Sequence, residues 1–462
     1  YGNNNLVIKF DKKSYQELAK SGNRLPSRKY YFRKGTTWSS ATASSFSGRY
    51  CETGFVFAGK GPMCFANDER DILSILAFLN SKLTSFFMDI FSSATDFNQG
   101  TMRNLPYIPL KGEIKQKIGL LVSDCIDISK NDWDESEISW DFERHPFIKN
   151  VSSNNKSNLS LKISDIYTQW ETKKNQILDR LKINEETINR ILIDLYNLQE
   201  ELTPEVEEKD MSLQIPHLQR DIKSFMSYFM GCVFGRYNFH RVKVIPTGKE
   251  LVFSKDSLFH IDRDNVIPIT DDNYFSEDII TLFDEFLAAC YGKETLEENL
   301  DFIAQALGKK EESSRGTIRN YFVVDFYKDH LKTYQKKPIY WLYDSGKQNG
   351  FKALVYMHRY DEDTTGRVRV DYLHQVQKAY ERATANLQDD IVNSKDATEI
   401  TQLQKRIEKI TKQLKECKDY DERLGHIALE RISIDLDDGV KVNYQKIQTD
   451  SKGKFYQILA EI

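Results

Sequence analysis

The chain has 462 residues and a mass of 53.9 kDa, about three domains' worth of polypeptide at roughly 100–200 residues per domain. Hydrophobic residues at 40% and charged residues at 29% describe a core-forming chain and exclude a disordered one. Lys+Arg 65 against Asp+Glu 69 leaves a net charge of −4, so a polycationic coat is excluded and any nucleic-acid surface must be local.

Residues 1–112 are rich in Gly, Ser, Thr and aromatics. Leu6-Val7-Ile8 and Gly54-Phe55-Val56-Phe57 read as short β runs, with turns at Ser21-Gly22-Asn23 and Gly59-Lys60-Gly61-Pro62. Apolar residues at 72, 75, 76, 79, 83, 86 and 87 predict one helix from Asp71 to Phe87. The prolines of Asn104-Leu105-Pro106-Tyr107-Ile108-Pro109-Leu110 then impose extended backbone. From 113 to about 230 the pattern is helical. Ile183, Ile188, Ile191, Leu192, Leu195 and Leu198 form one stripe with Pro204 as its end, and the Asn/Ser run 150–160 reads as a loop. A turn at Gly231, Gly235, Arg236 and Tyr237 precedes a strand-like Asn265-Val266-Ile267-Pro268-Ile269 and a helix from about Phe275. Val376, Tyr380, Leu387 and Ile391 face Leu403, Ile407, Ile410 and Leu414 across a turn at Asn393-Ser394-Lys395-Asp396, which predicts an antiparallel helical hairpin. The segment 434–440 reads as a strand, a turn and a second short run. The expected fold class is α+β: a β-containing domain at 1–112, a helical or mixed spacer at 113–314, and a mostly helical domain with the hairpin at 315–462.

The charge is unevenly placed. Between Lys9 and Lys60 stand eleven Lys/Arg (9, 12, 13, 20, 24, 28, 29, 33, 34, 49 and 60) against Asp11, Glu17 and Glu52, a net of +8. Tyr30, Tyr31, Phe32, Trp38, Phe46 and Tyr50 interleave with them. Cations beside flat rings and hydroxyls suit a phosphate backbone and base edges. The candidate contacts are Arg28, Lys29, Arg33, Lys34, Trp38, Ser39, Arg49 and Lys60, with Ser40, Ser44 and Ser45 as further donors. A solvated basic face on a small β domain reads the same way. A second segment, Arg315 to Arg382, holds 13 Lys/Arg and 8 Asp/Glu, a net of +5. It offers Lys347 in the turn Ser345-Gly346-Lys347-Gln348-Asn349-Gly350, with Lys352 and Arg359, as a clamp; a charged helical surface is the plainer alternative. Residues 171–210, with 6 Lys/Arg and 11 Asp/Glu, make an acidic helix that suits a protein partner better than phosphate.

Catalytic patterns are weak. Phe57-Ala58-Gly59-Lys60-Gly61 matches the Phe-x-Gly-x-Gly loop that holds the methionine end of S-adenosylmethionine. No strand–loop–helix context surrounds it, and no Asn-Pro or Asp-Pro dipeptide is present to grip an extruded adenine. There is no GxxxxGK[ST] loop and no HExxH. Asp361-Glu362-Asp363 beside His358 reads as solvated acids rather than a nuclease centre, and Asp435, Asp437 and Asp438 do not continue into a calcium loop. Six Cys (51, 64, 125, 232, 290 and 417) form no CxxC pair, against a zinc ribbon or a disulfide scaffold and in keeping with a reducing cytoplasm. No apolar run approaches the roughly 20 residues that span a bilayer, so no membrane partner is expected. The chain begins at Tyr1 rather than Met and is expected to be part of a longer protein.

Several strings carry a family resemblance. Tyr31-Phe32-Arg33-Lys34-Gly35-Thr36-Thr37-Trp38-Ser39, Phe46-Ser47-Gly48-Arg49-Tyr50 and Gly54-Phe55-Val56-Phe57 resemble a signature of the BREX phage-defence methyltransferases, the PglX family. Leu76-Ala77-Phe78-Leu79-Asn80-Ser81-Lys82 followed by Asn104-Leu105-Pro106 looks like the end of a target recognition domain, and is also similar to type IIG restriction-modification enzymes. Pro338-Ile339-Tyr340-Trp341-Leu342, Lys347 to Leu354, His358-Arg359-Tyr360 and Arg367 to Tyr372 resemble the same family's C-terminal region. The resemblance runs from Tyr1 to the Asp435–Val440 tail. It implies a parent that moves a methyl group from S-adenosylmethionine to an adenine amino group and so marks host DNA. The family's catalytic half is not among these residues. No catalytic or cofactor position carries over, and this chain by itself is expected to bind no cofactor. Expected partners are double-stranded DNA, with other BREX defence proteins or an inhibitory phage protein as further candidates. The alternative is a scaffold on which the acidic helix and the hairpin dock defence proteins and DNA contact is minor.

Overall fold

The computed structural model describes residues 2, 4, 6–20, 27–42, 46–91, 97–149, 160–237, 261–308 and 311–462. They form a mostly helical α+β structure with two three-stranded antiparallel sheets, the expected class. The chain divides into two compact units, one of 1–142 with 170–216 and one of 143–169 with 217–462. The composition shifts near 112 and 314 fall inside the first and the second unit, respectively. The expected turn at Ser21–Asn23, the polar run 150–159, Arg24, Ser44 and Ser45 lie outside the described residues.

In the first unit, α1 (Lys12–Lys20) precedes a sheet of β1 (Gly35–Trp38), β2 (Gly48–Cys51) and β3 (Met63–Cys64), in the order β2-β1-β3. Thr36 pairs with Tyr50, Thr37 with Arg49, and Trp38 with Gly48. Gly35 is demanded by crowding: a Cβ there would lie 2.7 Å from the Cys64 carbonyl oxygen. Leu6, Val7 and Ile8 form no strand and are exposed. Gly54–Phe57 is no strand either, because Gly54 turns the chain at φ 100°.

The single helix expected over 71–87 is two helices, α2 (Ile72–Leu79) and α3 (Lys82–Phe91), bent by 68°. Side chains at the break compete for the backbone. Asn80 accepts from the Gly48 N–H at 2.8 Å and donates to the Gly48 carbonyl at 3.0 Å, while Ser81 bonds the Phe78 carbonyl. The break therefore clamps the end of β2. Leu76, Phe78, Leu79 and Leu83 pack with Ile118 and Val122 of α5 (Gly112–Trp133) and with Ile188 and Leu192 of α7 (Ile163–Tyr196); the short α4 (Gln99–Arg103) and α6 (Pro146–Lys149) lie between these in sequence. Helix α7 follows the expected stripe except at Ile183, which is 62% exposed. It stops well before Pro204, where Asn197 takes φ 52°. Among the described residues no single helix is long and apolar enough to cross a membrane. Helices α2 and α3 meet that test only as the bent pair, and their apolar side chains supply the core.

The second unit begins its main body with α8 (Leu218–Val233). Its Phe225, Tyr228 and Phe229 pack on Phe283, Phe286 and Tyr291 of α9 (Ile279–Tyr291). Gly231 admits the Tyr237 ring, 2.4 Å from where a Cβ would stand. Strand β4 (Ile267–Pro268) is shorter than expected, and α9 starts after Asp278 rather than at Phe275, because Asp278 caps the Ile280 N–H. Helices α10 (Leu296–Leu307), α11 (Ser314–Asn320) and α12 (Phe326–Thr333) follow, the last two joined by a π-helical turn, Tyr321–Asp325. Strands β5 (Tyr340–Asp344) and β6 (Lys352–Tyr356) complete the sheet in the order β4-β6-β5. After α13 (Thr364–Arg367) and a second π turn, the hairpin of α14 (His374–Asn393) and α15 (Ala397–Ala428) lays Val376, Tyr380, Ile410, Cys417, Tyr420 and Leu424 on Trp341, Tyr343 and Val355. The hairpin and its turn are as the sequence predicts. The tail is not: Leu436–Asp438 is a 3-10 turn and α16 (Val440–Lys446) is helical. Asp435 caps the Asp437 N–H and its backbone exchanges bonds with Asn443, which closes a turn instead of extending a strand.

Candidate nucleic-acid interface

The basic segment of the first unit gathers on loops at the start of its sheet. A 3-10 turn, Arg28–Tyr30, carries two exposed cations. The Lys29 ammonium lies 5.0 Å from the centre of the Tyr30 ring, which stacks on Phe65 at 5.0 Å and 18°. The Arg33 guanidinium sits over both rings, at 5.5 Å and 5.9 Å, and Arg28 lies over Tyr15 at 5.2 Å. Cations parked on ring faces are ordered in advance, so less side-chain entropy is lost when they meet an anion. Lys60 is exposed on a tight turn bridged from Ala58 to Gly61, and Ser39 is exposed at the end of β1. Arg49, half-buried, stands across from Thr37 in the sheet. Lys34 faces Glu52 at 3.9 Å, at the edge of a cleft of about 370 Å³ whose lining includes Tyr50, Glu69, Arg70 and Ser123.

Trp38 has a different place. It is only 4% exposed, packs with Met88 and Phe97, and donates its indole N–H to the Phe97 carbonyl at 2.8 Å. The ring holds the sheet to the helices and has no free face for a base. Ser40 is likewise buried, its backbone bonded to Lys60 and Phe97. The exposed Phe32, one of the aromatics interleaved with the cations, belongs to the patch by geometry. Phe65 joins it through its stack on Tyr30, although it lies beyond the basic segment and no charge pattern marked it.

The candidates of the second unit separate in the same way. Lys347 is exposed on the β5–β6 turn. That turn is held by one carboxylate: Glu416 accepts from the Ser345 hydroxyl at 2.7 Å and from the Gln348 and Gly350 N–H groups at 2.8 Å and 3.0 Å. Lys352 is turned inward, donating to the Val323 carbonyl of the first π turn at 2.8 Å with Asp344 3.8 Å away. Burial lowers its pKa. Arg359 is latched to the carbonyls of Phe234, Asp262 and Arg263. Burial, then the neighbouring Asp264, raises the pKa of the Asp262 carboxyl. Lys352 and Arg359 thus have intramolecular partners in place of a phosphate. Part of the +5 in this segment is also neutralised by acids outside it: Arg319 grips Asp278 and Arg369 grips Asp421, while Arg367 grips Asp361 within it. Glu362 and Asp363 both meet Arg431.

The Phe57–Gly61 loop does not fit a methionine-type cofactor. The 58–61 bridge closes a tight turn and no α-helix follows until α2, so the strand–loop–helix context of such a site is missing. No step is assigned to it. No cluster of three or more His, Cys, Asp or Glu able to hold a metal occurs among the described residues.

No protein-family model matches the chain. Two curated proteins are similar to it. An adenine-specific methyltransferase PglX of Lacticaseibacillus casei (strain Zhang) is 44% identical over 427 residues, 92% of this chain and 35% of that protein. An adenine-specific methyltransferase BrxX of Escherichia coli O9:H4 (strain HS) is 34% identical over an alignment covering 100% of this chain and 39% of that protein. The chain belongs to the PglX family. It spans a little over a third of the length of these two relatives. Within this PglX-family chain, the cation–aromatic patch of the first unit is the feature with the clearest binding chemistry.

Proposed function

We propose that the chain is the DNA-reading and DNA-holding part of an S-adenosylmethionine-dependent, adenine-specific DNA methyltransferase of BREX phage defence, acting in the cytoplasm. The observation that carries this reading is the patch of Arg28, Lys29 and Arg33 on the rings of Tyr15, Tyr30 and Phe65, with Lys60 exposed on a separate turn beside Ser40 at the far end of β1, inside a segment of net +8 in a chain of net −4. The methyltransferase names of both relatives support DNA as the substrate of the parent. On this account the cations set register on phosphates, Ser39 and the loop beside Lys60 approach base edges, and Lys347 adds a separate contact from the second unit. Methyl transfer belongs to residues outside this chain, which by itself holds no cofactor. Incubation of the chain alone with duplex and labelled S-adenosylmethionine should transfer no methyl group, and a mobility shift should weaken steeply as salt is raised. Methyl transfer by the isolated chain, or a salt-independent shift, would overturn the reading.

A docking role for other BREX proteins, or for an inhibitory phage protein, is favoured by one observation. The acidic stretch 171–210 exposes Ile183 at 62%. On that reading, charge reversal along 171–210 removes the partner and leaves duplex binding unchanged.

A further inference from the structure

We propose that Phe32, with Phe55 beside it, is an aromatic wedge that enters between base pairs of duplex DNA. This rests on the reading of the first unit's patch as a DNA-facing surface and adds what that surface does to the helix. Phe32 is 46% exposed and Phe55 37%, whereas the adjacent Tyr31 is buried at 9%. The Phe32 backbone has φ 64°, a left-handed conformation that glycine tolerates and a bulky residue avoids. Two backbone bonds hold it there: the Phe32 N–H donates to the Phe55 carbonyl at 2.8 Å, and the Gly54 N–H to the Phe32 carbonyl at 3.3 Å. The ring is braced edge-on by Phe10 at 5.4 Å and 79°. Hence an apolar tip is fixed on a rigid base, and the next residue is Arg33, whose guanidinium lies over Tyr30 and Phe65.

Cations around an apolar tip favour a polyanion with an apolar interior over an apolar protein face. A ring inserted at a base step unstacks it and unwinds the duplex. It would also lower the barrier to extruding a neighbouring base for chemistry elsewhere.

The test uses closed circular plasmid relaxed by topoisomerase I in the presence of the 462-residue chain. This reads unwinding whatever sequence is bound. Wild type should lower the linking number of the recovered plasmid. Phe32→Gly suits the φ 64° backbone and removes only the ring. It should keep the salt dependence of binding, weaken affinity by no more than about tenfold, and lose the linking change. Phe32→Leu should retain part of the change, and Phe55→Ala, at an exposed ring, should reduce it. The wedge is overturned if wild type binds without changing the linking number, or if Phe32→Gly changes it as fully as wild type. Absence of any binding at about 50 mM salt would instead bring down the DNA-facing reading, and the wedge with it.

Discussion

The indole N–H of Trp38 donates to the Phe97 carbonyl at 2.8 Å, and this bond ties the central strand of the first sheet to the chain that follows α3. A tryptophan in a basic, aromatic segment invites a base-stacking role. Its 4% exposure makes it a structural strut.

Trp38→Ala should therefore destabilise the first unit by about 3–5 kcal/mol, the usual range for removing a large buried ring. Trp38→Phe should cost about 1–3 kcal/mol, because the Phe97 carbonyl loses its donor in a buried site. Urea unfolding followed by circular dichroism measures both. Duplex affinity per folded molecule of Trp38→Phe should stay close to wild type, and a selective loss of affinity without loss of stability would return the ring to the interface.

Glu416 makes a comparable strut in the second unit. One carboxylate takes two backbone N–H groups and a hydroxyl of the turn that carries Lys347. Glu416→Ala should lower stability by about 2 kcal/mol, since charge-assisted bonds to a carboxylate are among the stronger ones. Hydrogen exchange at the Gln348 and Gly350 amides should accelerate well beyond that of the β5 and β6 amides. Unchanged protection at these two positions would contradict the assignment.

The first unit also carries a titration that can be signed. Burial, and then the Asp210 carboxylate, push the Glu185 carboxyl from 4.5 up to about 7, while Lys82 pulls it down. An acid whose folded pKa is raised binds more protons folded than unfolded between those two values. Its contribution to stability is therefore greatest below about 4.5 and is lost as pH rises to about 7. With partial solvent access the size is about 1–3 kcal/mol. Glu185→Gln should flatten the pH dependence of unfolding between pH 5 and about 7. An unaltered slope in that variant would show that other groups set it.

How much of this was legible in the sequence follows from what each feature depends on. The hairpin was readable because the stripes Val376–Ile391 and Leu403–Leu414 repeat at helical spacing on both sides of an obvious turn. The α2–α3 break was not, since the apolar residues at 72, 75, 76, 79, 83, 86 and 87 keep one helical period. What breaks the helix is a tertiary bond from Asn80 to Gly48, 32 positions away. The strand expected in the tail failed for a similar reason, because Asp435 and Asn443 close a turn that alternation cannot reveal. For the site, charge density located the patch but could not sort its members. Lys347 and Lys352 are alike in composition, yet one is exposed while the other donates to a π-turn carbonyl. The family strings around Trp38 and Trp341 were recognisable as sequence, and both tryptophans are core residues.

The central claim, that the first unit meets DNA through its cation–aromatic patch, is tested most directly by the salt dependence of duplex affinity. Binding of wild type and of the triple variant Lys29→Ala, Arg33→Ala, Lys60→Ala should be followed by fluorescence anisotropy from about 50 mM to 200 mM salt. The account predicts that the triple variant binds more weakly and that its slope of log affinity against log salt is shallower by about 2.7, about 0.9 for each phosphate that the variant leaves without its cation. A slope that stays at the wild-type value would contradict it.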